Sequence, residues 1–135
     1  IEKALVDRIG PAGAKLHSGR SRNDQVALDL KLYLRDHTDL LVELLDDIRR
    51  GFAKLARTYL GAVMPGYTHM QQAMPSSVAL WSGGFDEAFT DAIEGLGACR
   101  RRADKNPLGS AAGSRTPLPL DRDMTTAALG FDRTQ

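Results

Sequence analysis

From residue 26 onward, apolar side chains return at helical intervals: Val26, Leu30, Tyr33, Leu41, Leu44, Ile48, Phe52, Leu55 and Tyr59, with His37 in the place of an apolar residue. Steps of three and four residues predict one α-helix over 21–60. No proline interrupts it and Gly51 is its only glycine, so at about 1.5 Å per residue the rod runs for more than about 50 Å. A helix of that length needs packing partners along it. Leu28, Leu32 and Leu34 widen the stripe near the start. The pattern predicts an all-α fold, a long-helix bundle whose contacts plausibly extend between subunits, with His37 buried or at an interface.

The flanking segments are shorter. Ile1, Leu5 and Ile9 share a face of a helix tail over 1–9, which GPAG at 10–13 breaks. The chain starts inside that helix without a methionine, so it reads as a piece of a longer polypeptide. A flexible connector, AKLHSGR, leads to Ser21, and Ser21 and Asp24 have the spacing of a capping box. Residues 64–75, MPGYTHMQQAMP, read as a structured loop between helices, with Pro65 and Gly66 in a type II turn. Ser76 is the expected N-cap of a second helix over 76–104, with Val78, Trp81, Phe85, Ala88, Ala92 and Leu96 as its stripe. Gly83 and Gly84 within it would permit close approach of another helix backbone. Residues 106–120 are Gly, Pro and Ser-rich and irregular, and Asp121 caps a short helix over 121–129 that Gly130 ends. The pattern contains no repeat, no credible strand pair and no internal domain boundary.

Charge and cysteine content narrow the function classes. Eighteen basic residues face seventeen acidic ones, a formal charge of +1, which gives no general field for nucleic acid or an anionic membrane. Cys99 is alone, against a disulfide framework and in favour of a reducing compartment, with the cytosol as default. Three histidines without paired ligand spacing argue against a metal centre, and no Gly-rich phosphate loop follows a strand. Arg100, Arg101, Arg102 and Lys105 suit the negative end of the second helix.

Two polar clusters carry the candidate chemistry. At the start of the long helix, free N–H groups and the positive dipole end meet Arg20, Ser21, Arg22 and Asn23. Such donors can hold a carboxylate or phosphate, a guanidinium through two parallel bonds; a plain capped helix with solvated arginines accounts for the same residues. In the 64–75 loop, His69 has the intrinsic pKa for proton exchange near neutrality, with Thr68 and Gln71 beside it to orient a substrate. A loop histidine without a catalytic role fits that pattern equally. His17 lies in the connector, where it could join the anion site.

Read together, KLHSGRSRNDQVALDLKLYLR and MPGYTHMQQAMPSS resemble the first two signature regions of the argininosuccinate lyase family, within the fumarase and aspartase superfamily, and NPLGSAAGSRTPLPLDRDMTTAALGF is similar to the segment that follows them. The resemblance extends over nearly the whole chain. It implies a long-helix bundle assembled as a homotetramer, each active site built from three subunits. The implied reaction is cofactor-free, reversible elimination of arginine from argininosuccinate with release of fumarate. Matching positions would make Ser21, Arg22, Asn23 and Thr68 substrate-binding and His69 catalytic. The family's third signature, G-S-S-x-M-P-x-K-x-N, whose serine is the expected base, is absent from these residues, so the chain alone should be inactive. GSAAGSRTPLPLD also departs from the commoner form GSGALAGTTYPLD. A related carbon–nitrogen lyase acting on another N-substituted aspartate, and a non-catalytic paralogue of the crystallin type, are the alternatives.

Overall fold

A computed structural model describes residues 1–113 and 116–135 of the chain. Helix α1 (Glu2–Ile9) is followed by a 3-10 helix (Gly10–His17), the long helix α2 (Arg22–Thr58), strands β1 (Val63–Thr68) and β2 (Gln71–Ser77), helix α3 (Val78–Ala103), the short strand β3 (Lys105–Asn106), helix α4 (Arg122–Ala128) and strand β4 (Arg133–Thr134). These fall into two compact units, one of Ile1–Arg35 with Arg102–Gln135 and the other of Asp36–Arg101.

In the first unit, residues 14–17 of the connector expected to be flexible belong to the 3-10 helix. Gly13 lets it lie against α1, since a Cβ there would sit 2.8 Å from the Val6 backbone nitrogen. Around α4 a buried polar network replaces hydrophobic bulk. Asn106, fully buried, donates to Thr125 and Thr126 at 3.0 and 2.9 Å and accepts from the Leu108 amide at 3.0 Å. All of these groups are paired, so the network fixes one arrangement at little desolvation cost. Beside it Ala103, Leu108 and Phe131 are buried, and Arg35 lies over the Phe131 ring at 4.8 Å. Asp121 caps α4 by accepting from the Met124 amide at 2.8 Å, and Gly130 takes a positive φ of 65° just beyond its end.

In the second unit, α2 and α3 run antiparallel. Asp39 meets Arg100 and Asp86 meets Arg49, while Phe52 stacks on Phe85 and Phe89 with centroids 5.0 and 5.8 Å away and meets Trp81 edge-on. The two stripes legible in the sequence therefore face each other here. Arg100, in the last turn of α3, forms an ion pair with Asp39.

Several expectations differ from the structure. Residues 63–77 are a β-hairpin, with Val63 opposite Ser77 and Thr68 opposite Gln71, so a strand pair exists. Pro65 and Gly66 lie inside β1 and form no type II turn. Between paired positions Pro65/Pro75 and Tyr67/Gln72, β1 advances two residues and β2 three, which makes a bulge, and Gly66 is needed there because a Cβ would stand 2.8 Å from the Met74 carbonyl oxygen. Ser77, not Ser76, caps α3, accepting from the Leu80 amide at 3.0 Å; Ser76 is committed to the strand, opposite Met64. Gly83 and Gly84 have open space around them within the chain. Much of the α2 stripe is uncovered within the chain: Leu30, Tyr33 and Leu44 are all more than half exposed. His37 is exposed within the chain, so of its two expected settings the interface one remains.

Candidate active site

The start of α2 is built by a reciprocal cap. Asp24 Oδ1 accepts from the Ser21 amide at 3.1 Å and Ser21 Oγ accepts from the Asn23 amide at 3.2 Å, one residue earlier than the spacing led us to expect. Arg22 and Asn23 occupy the exposed first turn, where backbone N–H groups still lack helical acceptors. Arg20 and Arg22 line an open cavity of about 540 Å³ with Glu2, Gln25, Asp29 and Leu108. The two guanidiniums and the Gln25 amide in this lining suit a carboxylate, with the carboxylates of Glu2 and Asp29 beside them; Ser21 and Asn23 stand next to Arg22 at the helix start. His17 is turned to Glu2, at 3.6 Å.

Thr68 and His69 stand at the tip of the β1–β2 hairpin, in the other unit. The two turn residues, His69 and Met70, have φ of 50° and 63°, the mark of a type I′ hairpin turn normally made by Asn-Gly. Non-glycine residues in that region cost about 1–2 kcal/mol each, and such strain gathers where a side chain must be aimed. His69 is exposed and Thr68, paired with Gln71, precedes it on the strand. Ser21, Arg22 and Asn23 thus come together on one helix start, and Thr68 and His69 on one hairpin tip. Asp24 is more than a capping partner: it is buried at 4% exposure and has further partners that its spacing could not reveal. Of the irregular 106–120 segment, Ser114 and Arg115 lie outside the described residues.

The family described as Lyase matches residues 2–133. The chain belongs to the lyase family. Among curated lyases, the argininosuccinate lyase of Desulfotalea psychrophila is 51% identical over 131 residues, covering 97% of this chain and 28% of that protein. The argininosuccinate lyase of Parabacteroides distasonis is 48% identical over 132 residues, 98% of this chain and 30% of that protein. Among solved lyases, an EDDS lyase variant with bound fumarate superposes with a TM-score of 0.92 at 33% identity, over 98% of this chain and 27% of the other. This lyase-family chain therefore spans between a quarter and a third of the length of the relatives it matches, and its mostly helical fold is that of the solved lyase.

Proposed function

We propose that the chain is part of an argininosuccinate lyase, which eliminates arginine from argininosuccinate to leave fumarate, without a cofactor. What carries this reading is the close identity to two enzymes of that name, set on residues whose chemistry fits the reaction. In the elimination, a base takes a proton from the carbon next to a succinyl carboxylate, the C–H pair becomes the C=C bond, and the C–N bond breaks toward nitrogen. Negative charge builds on the carboxylate as the proton leaves. Arg22, Asn23 and Ser21 at the helix start stabilise that charge more than the ground state. Thr68 holds the substrate beside His69, which assists proton transfer, through its neighbours or to the leaving nitrogen. The base is supplied by residues outside these 135, so the chain alone is inactive.

The uncovered apolar stripe of α2 supports assembly as a homotetramer with shared active sites. Among the described residues no helix is long and apolar enough to cross a membrane. Arginine biosynthesis in the cytoplasm is the setting that goes with the proposed reaction. One observation favours a second reading, a lyase of another N-substituted aspartate: the match to an EDDS lyase, because the carboxylate site says little about the amine half.

The test is fumarate absorbance on mixing the full-length polypeptide with argininosuccinate. Turnover of a different aminosuccinate and none of argininosuccinate would transfer the assignment to the second reading. In the same assay His69→Asn should lower kcat by about 10²-fold. Asparagine tolerates the positive φ of this turn, so the loss reports on the imidazole rather than on the hairpin. An unchanged rate removes His69 from the mechanism.

A further inference from the structure

Asp24 binds two segments far apart in sequence. One oxygen closes the α2 cap at the Ser21 amide. The other, Oδ2, accepts from the amides of Gly109 at 3.2 Å and Ala111 at 3.0 Å. Gly109 and Ala111 have φ of 88° and 54°. For Ala111 that backbone is strained by about 1 kcal/mol, and it persists because the surroundings determine it. Amides turned inward in this way form a small anion-binding concavity, and here the anion is the chain's own buried carboxylate.

The loop so held is a wall of two cavities. Leu108 lines the 540 Å³ cavity with Arg20 and Arg22, and Leu108 and Gly109 line a neighbouring cavity of about 240 Å³ with Arg20 and Arg122. Arg122 itself donates to the Leu108 carbonyl at 2.7 Å and, outside this segment, to the Gln135 carbonyl at 2.9 Å. The loop is therefore fixed from one side by Arg122 and from the other by Asp24.

We infer that Asp24 is a positioning residue: it clamps the Gly109–Ala111 loop to the N-terminus of α2 and so sets the geometry in which Arg22 and Asn23 meet a substrate carboxylate. This rests on the carboxylate site of the proposed function and adds the group that orders it. Asparagine at position 24 keeps one acceptor oxygen and loses the other; alanine loses both.

The experiment uses the full-length enzyme with succinate as the probe. Asp24→Asn should weaken succinate binding and Asp24→Ala should weaken it further, by about tenfold or more, the loss expected for a charge-assisted hydrogen-bonded anchor. Amide exchange at Gly109 and Ala111 should accelerate in the same order. Phe52→Leu, which thins the aromatic cluster of the other unit, is the control for general destabilisation and should leave succinate affinity as in the wild type. Unchanged affinity or unchanged exchange in Asp24→Asn overturns the inference, as does an equal loss of affinity in Phe52→Leu. Asp24→Asn retains a cap and carries the test if Asp24→Ala does not fold. A wild-type enzyme that binds succinate with this dependence yet makes no fumarate from argininosuccinate overturns the proposed reaction and keeps the role of Asp24; one that does not bind succinate overturns both.

Discussion

Gly66→Ala is a sharp test of how the hairpin carries its tip. The substitution is conservative by volume and Gly66 needs no unusual φ, so composition alone predicts little effect. The fold predicts otherwise, because the new methyl would stand 2.8 Å from the Met74 carbonyl oxygen, where ordinary contact begins near 3.4 Å. The obstructing atom is backbone in the paired strand, so relief requires β1 and β2 to separate at the bulge rather than a side chain to turn. Overpacking of this kind costs about 1–3 kcal/mol. Because the bulge lies two residues before Thr68, strand separation also displaces His69, and misplacement by about 1 Å can cost up to about 10²-fold in rate. Chemical denaturation with hydrogen exchange over residues 63–77 reads the first effect, and kcat for fumarate release in the full-length enzyme reads the second. Wild-type stability together with wild-type exchange at the hairpin would refute the reasoning, since no neighbour would then have been obstructed.

Two further outcomes follow from single residues. Met70→Gly should raise stability by up to about 1 kcal/mol, because the left-handed cost of methionine, about 1–2 kcal/mol, exceeds the extra freedom glycine has in the unfolded chain; Met70 is 97% exposed and gives up no packing here, and a lower denaturation midpoint would count against a strained turn. Asp46 is held below the ordinary carboxyl range first by its hydrogen bond to Arg49 and then by the charges of Arg50 and Arg49. Its stabilising contribution is therefore complete above about pH 4, the unfolded value, and disappears as pH falls through the folded one. Asp46→Asn should flatten that acid limb in a stability-against-pH series, and an identical limb would remove the pair from the balance.

The long helix, the facing aromatic stripes of α2 and α3 and the cap of α4 were legible in the sequence because each is local or periodic. The predicted 21–60 rod is realised as Arg22–Thr58, since a 3.6-residue repeat and a capping residue act within a few turns. The two polar clusters were legible as residue types: Ser21 to Asn23 lie next to a cap, and Thr68 and His69 stand among polar side chains between two apolar-periodic helices.

The hairpin was not. Its strands are short, mostly exposed, interrupted by Pro65 and Pro75 and joined by a histidine and a methionine where glycine or asparagine would announce a turn. Cross-strand pairing across the bulge, not intrinsic propensity, decides that segment, and with it the strained backbone that presents His69. Tertiary structure alone also joined Asp24 to Gly109 and Ala111, 85 and 87 residues away. Sequence spacing governs what a side chain can reach along one helix. It carries no information about which distant amides folding will turn toward a buried carboxylate.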